Sequence, residues 1–212
     1  MSQVWTIYKR ELRAYLVSPI PYVFAAVSVI LMALFFFYLG ESRFFVVGKA
    51  TLEAGFFDML PWVLLILVPA ISMRLWSDEL HSGTLETLMT LPTTTAAVAV
   101  GKFLAAWTLL GIALGCTLSI PITVSFLGDL DWGPVLGGYF GAMLLGGALL
   151  AIGIWISGWT RHQMAAFLLT AFAGLILIML GWLWGRIPVM QQISLLTRYD
   201  SMGRGVIDLR DV

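Results

Sequence analysis

Five long stretches of this chain carry no charged side chain, and nothing else in the sequence limits its fold so sharply. They run over residues 22–39, 59–73, 103–127, 135–159 and 165–184. A helix needs about 20 apolar residues, at 1.5 Å of rise each, to cross the hydrocarbon core of a bilayer. Inside that core every backbone N–H and C=O has to be bonded within the protein, so such segments cross as helices. The expectation is an all-α polytopic membrane protein with five visible transmembrane helices. Composition agrees: 60% of residues are hydrophobic and 11% charged, against about a quarter charged in a soluble domain. The formal net charge is zero and no basic tail stands out, so nucleic acid is not an expected partner. The single cysteine, Cys116, leaves no internal disulfide to form.

The polar segments between these stretches carry the rest of the information. Residues 3–17 read as an amphipathic helix lying in the membrane interface. At 100° per residue, Val4, Trp5, Tyr8, Leu12, Tyr15 and Leu16 share one face, while Gln3, Thr6, Lys9, Arg10 and Arg13 share the other. Aromatics at headgroup depth and cations toward water fit that position. A charged segment before a run of full spanning length is not the pattern of a cleaved leader. Pro19 and Pro21 then turn the chain into the first span. Pro61 and Pro69 mark the second span as kinked, and Pro121 interrupts the third, which is expected to start beside Lys102.

The most patterned polar segment is RLWSDELHSGTLETLMTLP, residues 74–92. Read as a helix from Arg74, it puts Asp78 one turn on, with Ser77 and His81 beside the pair and Trp76 and Leu80 facing away. Gly83 breaks that helix. Thr84 can cap a second short one, in which Leu85, Leu88 and Met89 repeat at helical spacing until Pro92. Two short helices about a glycine form a compact knob that another protein can grip; a solvated loop is the plainer alternative. In the fourth span, Gly137 and Gly141 form a G-x-x-x-G step, as do Gly111 and Gly115 in the third. Such steps bring helix backbones close together in lipid, within one chain in the first instance and between two copies in the second.

Cation placement sets the orientation. With the N-terminus in the cytoplasm, Lys9, Arg10, Arg13, Arg74, Lys102 and Arg161 lie inside, and up to the fifth span only Arg43 and Lys49 lie outside. Segment 74–92 is then cytoplasmic and segment 186–212 extracytoplasmic. No span carries an ionisable residue near its middle, which argues against a proton- or sodium-coupled carrier. His81 and His162 sit in separate polar turns with no metal-ligand spacing around them. No phosphate-binding G-x-x-x-x-G-K-[ST] loop and no nucleophile–base grouping can be assembled. No catalytic, cofactor or metal residue is therefore expected, and any ATP hydrolysis is expected in a separate subunit.

Three stretches carry a family resemblance: the opening WTIYKRELRAYLVSP (residues 5–19), the central Arg74, Asp78, Glu79, Gly83, Thr84 and Glu86, and the ending RGVIDLRD (residues 204–211). Together they resemble the permease subunits of ABC transporters of the type-2 export class, and most of all the bacterial subgroup associated with gliding motility. The resemblance implies a six-span permease in the bacterial cytoplasmic membrane, with five spans legible here and a sixth expected beyond Val212. It implies an interfacial N-terminal helix and a coupling helix between spans two and three that docks on the ATPase. The implied partners are two ABC ATPase subunits, a second permease copy or a paralogue, and an extracytoplasmic auxiliary protein. A pathway lined mainly by the second and fifth spans is implied as well. Glu79 and Glu86 are the acids expected to accept hydrogen bonds from an ATPase arginine or from the N-terminal helix. The alternative output is a non-transporting scaffold or a subunit that transmits force from the ATPase.

Overall fold

The computed structural model describes residues 2–39, 52–83 and 94–183, together with Leu195, Leu196 and Tyr199. Among these residues the chain is helical and contains no strand. The helices are α1 (Ser2–Val17), α2 (Ile20–Leu34, continued by a π-helical turn at Phe35–Leu39), α3 (Asp58–Ser72, entered through a π-helical turn at Glu53–Phe57), α4 (Ser77–Ser82), α5 (Thr95–Thr117), α6 (Ser119–Leu127), α7 (Trp132–Ser157) and α8 (Gln163–Leu183). Five segments within the described residues are long and apolar enough to cross a bilayer: Pro21–Leu39, Gly55–Ser82, Thr95–Leu127, Trp132–Ser157 and Gln163–Leu180. The protein is an all-α polytopic membrane protein.

Local chemistry explains where the helices begin and end. The Thr94 hydroxyl accepts from the Ala97 N–H at 3.3 Å and starts α5. The Asp131 carboxylate accepts from the Gly133 N–H at 3.0 Å and starts α7. Each cap satisfies a donor that the first helical turn leaves open. The threonine cap starts α5 well before residue 103, so Lys102 is not a flanking cation. It lies about two turns inside the helix and is 2% exposed. The third span breaks at Leu118, just ahead of Pro121, which falls in the first turn of α6, where a missing N–H does least harm.

Helix α3 runs through both of its prolines. Pro61 has no N–H to offer the carbonyl of Phe57 one turn earlier, and the Tyr199 hydroxyl donates to that oxygen at 3.1 Å instead. A tertiary contact thus replaces the helical bond that proline removes, as burial in an apolar medium requires.

Helix α3 is the centre of the bundle. Leu60, Leu64, Leu67, Val68 and Ile71 are buried on it, and it packs against α2, α7 and α8. Close approach to α7 rests on glycine. A Cβ added at Gly138 would lie 2.3 Å from the Phe57 ring and at Gly153 2.2 Å from the Ser72 hydroxyl, and one at Gly146 would lie 2.3 Å from Leu110 of α5. Helix α1 packs along α5, where a Cβ at Gly101 would meet Ile7 at 2.8 Å. Its inward face is centred on buried Ile7 and half-buried Glu11, while Trp5 and Leu16, expected to share the apolar face, are exposed. Helices α2 and α8 leave apolar rows open, Val23, Val27, Ile30 and Leu34 on one and Leu168, Leu169, Phe172 and Ile176 on the other.

Candidate functional site

Helix α4 has six residues, far fewer than a helix needs to persist alone in water, so its neighbours must hold it. Its first turn carries Asp78 and Glu79, where the helix dipole favours acids. The Ser77 hydroxyl donates to the Met73 carbonyl, and the Ser82 hydroxyl donates to the Asp78 carbonyl at 2.7 Å. Gly83 then ends the helix with φ +70°, in the left-handed region that a side chain disfavours.

The anchor of α4 is a buried cation. Taking an ammonium group out of water is tolerated only when it is paired. The Lys102 Nζ lies 2.9 Å from Glu79 Oε1 and 3.5 Å from Glu11 Oε1. It also lies 5.3 Å from the centroid of the Trp76 ring, whose π face attracts a cation. One lysine of α5 thereby joins α4 to α1. On the other side of α4, the Gln163 side-chain amide donates to Asp78, tying the same short helix to the start of α8. Arg10 pairs with Glu11 at 2.9 Å from the exposed side of α1.

Around this cluster lies a cavity of about 230 Å³, lined among others by Glu11, Tyr15, Arg74, Asp78, Glu79 and Lys102. Burial pushes the Tyr15 phenol well above its ordinary pKa, and the carboxylates of Glu11, Asp78 and Glu79 push it the same way, so it stays neutral. Among the described residues, two buried polar atoms of this cluster have no hydrogen-bond partner, Arg74 Nε and Glu79 Oε2.

Of the residues singled out in the sequence, Arg74, Asp78 and Glu79 come together at this cavity. Gly83 is exposed at the outer end of α4, next to exposed His81 and Ser82. Thr84 and Glu86 lie outside the described residues, and so does the second short helix expected there. Lys9, Arg10 and Arg13 are exposed on α1, with the Lys9 ammonium 5.0 Å from the Trp5 ring centroid. Gly137 and Gly141 are buried in α7. Gly111 faces Met143, where an added Cβ would lie 3.3 Å from its terminal methyl, whereas Gly115 is exposed with open space beside it.

Sequence reasoning missed Glu11, Tyr15, Lys102 and Gln163 as partners in one cluster. Two signals were present. Glu11 is the one acid in a helix rich in cations, a turn from Ile7 and from Tyr15, and Lys102 has apolar residues on both sides. Gln163 gave no signal at all.

A short acidic helix after the second span, pinned from within to the N-terminal helix, sits in a chain that one family model covers almost end to end. The model of the ABC-2 family transporter proteins matches residues 5–200. The chain belongs to that family. As an ABC-2 protein it is a permease-type membrane subunit of an ABC transporter, of a family that works with ABC ATPase subunits. The matched region runs from α1 through α8 and includes the whole ion cluster. No curated protein matches the chain.

Proposed function

We propose that this ABC-2 subunit is the permease of an ATP-driven exporter in the bacterial cytoplasmic membrane. Its N-terminus and α4 lie on the cytoplasmic side, and it works with a second permease, a copy or a paralogue, and two ATPase subunits. The ATPase touches the exposed end of α4 at His81, Ser82 and Gly83 and the segment that follows, including Thr84 and Glu86. Movement passes inward along two routes, from Glu79 through Lys102 to Glu11 and α1, and from Asp78 through Gln163 to α8. The observation that carries this reading is Lys102, a buried cation held between acids of two separate helices. Glu79 thus serves as an internal link, and the outer face of α4 is left for the partner.

A charge-assisted hydrogen bond of this kind contributes roughly 1.5–3 kcal/mol, enough to transmit a shift of α4 without letting the helices slip. The test is co-purification with the ATPase followed by measurement of turnover. Glu79→Gln and Asp78→Asn retain the ATPase and lose its stimulation by the permease, whereas Gly83→Pro, which cannot adopt positive φ, loses the ATPase itself. Wild-type stimulation in all three variants would refute the coupling role. In a Cys116→Ser background, a cysteine at Ser82 is labelled by an impermeant thiol reagent only after the membrane is opened; labelling in intact cells reverses the orientation. Substrate movement into inverted vesicles separates export from force transmission.

A further inference from the structure

Charged side chains at the α4 end of the bundle are sorted by sign. Glu11, Asp78 and Glu79 line the cavity and are only partly accessible, whereas Lys9, Arg10, Arg13 and Arg161 are exposed. At the opposite end, the exposed charges among the described residues are all acids: Asp58, Asp129 and Asp131. A net charge of zero over the whole chain hides this division. The ion cluster has used the acids of its own end, and the cations are left over. Among the described residues, Lys9, Arg13 and Arg161 have no acid within ion-pair distance. Arg10 pairs with Glu11 at 2.9 Å, but Glu11 is shared with Lys102.

Three of these cations lie close together on α1. Lys9 and Arg13 are one turn apart on the same side of the helix. The same row carries exposed Trp5 one turn before Lys9 and exposed Val17 one turn after Arg13. The Lys9 ammonium is 5.0 Å from the Trp5 ring centroid, and that ring stacks on Tyr8 at 5.0 Å. Tyr8 in turn shares a hydrogen bond of 3.3 Å with Thr108 of α5, so the row is fixed against a membrane span. An exposed tryptophan beside cations is the pattern of headgroup depth.

Two occupants match the charge, an acidic protein surface and an anionic headgroup. What borders the cations decides between them. The exposed apolar residues Leu16 and Val17 close α1, and the Tyr22 hydroxyl donates to the Leu16 carbonyl at 2.8 Å, which ties the end of α1 to α2. From there Val23, Val27, Ile30 and Leu34 run exposed along α2 at helical spacing, in a span whose open face belongs to acyl chains. The cationic row therefore leads onto a hydrocarbon-facing row, as a phospholipid requires and a soluble protein does not. The phosphate of a zwitterionic lipid brings its own cation and leaves these three charges unbalanced.

We propose that the exposed face of α1 binds an anionic phospholipid, its headgroup on Lys9, Arg10 and Arg13 and an acyl chain along the open row of α2. Arginine supplies the planar donor pair that phosphate oxygens fit best.

The experiment uses the full chain with Cys116→Ser and Val17→Cys, labelled with bimane at residue 17 and reconstituted in phosphatidylcholine vesicles. A small fraction of the lipid is spin-labelled phosphatidylglycerol or, in parallel, spin-labelled phosphatidylcholine, and quenching reports how much of each lies beside α1. A cation near an anionic lipid is worth roughly a fivefold preference. Phosphatidylglycerol should therefore quench as though enriched about tenfold or more, and Arg13→Gln should lower that enrichment roughly fivefold. Lys9→Gln, Arg10→Gln and Arg13→Gln together bring the two lipids level, as does about 1 M salt on the unaltered face, where charges are screened within about 3 Å. All three positions are exposed, so unfolding of the triple variant in detergent stays as it was. Arg161→Gln, on a different turn, leaves the enrichment at residue 17 unchanged. The measurement needs neither ATPase nor transported substrate, so its failure would leave the coupling proposal standing. Equal quenching by the two lipids before any charge is removed, or enrichment that survives the triple change, overturns the proposal. Equal quenching together with loss of the ATPase from the triple variant on co-purification would assign the face to the protein partner instead.

Discussion

The two ends of α3 are built on opposite plans. At its beginning, Phe36, Phe56, Phe57 and Tyr139 stack edge to face or tilted at centroid distances of 5.2–6.2 Å, and Phe36, Phe56 and Phe57 are nearly inaccessible. Gly138 lies directly under Phe57, and the Tyr139 hydroxyl is bonded to Thr117 at 2.9 Å. Past its end, Arg74, Asp78, Glu79, Glu11 and Lys102 gather around a cavity, with two polar atoms unpaired among the described residues. A dense aromatic cluster resists change, because interiors packed like crystals yield little. A charged cluster with open volume has alternative partners within reach of small movements. We read the aromatic end as the fixed end of the subunit and the charged end as the one that moves.

Removal of Lys102 should show the largest effect. Lys102→Met leaves the acids of α1 and α4 facing each other with no cation between them, and loss of one member of a buried ion cluster costs about 3–5 kcal/mol. The drop appears in detergent unfolding. Lys102→Met combined with Glu11→Gln and Glu79→Gln recovers most of that stability and still fails to stimulate the ATPase, because the charges serve transmission more than cohesion. If the triple variant couples normally, the charged end is only a structural joint. At the aromatic end the expected pattern is reversed. Gly138→Val drives an isopropyl group, whose Cβ alone would lie 2.3 Å from the ring, into Phe57 and costs about 1–3 kcal/mol or more from overpacking, while the folded fraction stimulates the ATPase as the wild type does.

The same contrast marks how far the sequence can be read. The spans are legible because hydrophobic length is a property of contiguous residues, and Gly83 is legible because a left-handed helix end is a local requirement. The charged cluster is legible in part. Arg74, Asp78 and Glu79 are close in the chain, but Glu11 and Lys102 reach Glu79 only after α1 has packed along α5, and periodicity says nothing about which helices meet. Lys102 reads as a boundary cation because the start of α5 depends on the Thr94 cap, a signal weaker than a charge in an apolar run. The aromatic cluster is not legible. Its residues come from three separate stretches, and a phenylalanine in an apolar span gives no sign whether it faces lipid or another ring.

Gly83→Ala gives a smaller effect and tests whether the outer edge of α4 matters apart from its charges. Among the described residues nothing lies within 4 Å of an added Cβ, so the backbone conformation is what is penalised. For an L-residue held in the left-handed region the penalty is about 1–2 kcal/mol. The change should fray the last turn of α4 and lower ATPase retention while the unfolding of the rest of the bundle is unaltered. Full retention by this variant would move the docking surface away from Gly83.

The smallest effect belongs to Tyr199 and reaches the fixed end of the subunit. The Tyr199 hydroxyl donates to the Phe57 carbonyl at 3.1 Å, which Pro61 leaves without its helical partner. Tyr199→Phe removes that donor and keeps the ring, so it should lower stability by about 1 kcal/mol, the value of one buried hydrogen bond. Pro61→Ala restores an N–H one turn after Phe57 and gives the carbonyl a second donor. In that background, Tyr199→Phe should have almost no further effect, and a double-mutant cycle measured by unfolding in detergent reads the coupling directly. If Tyr199→Phe costs the same in the Pro61→Ala background as in the wild type, the hydroxyl does not substitute for the donor that Pro61 lacks. The Tyr199 hydroxyl would then stabilise the fixed end independently of the gap that proline leaves in α3.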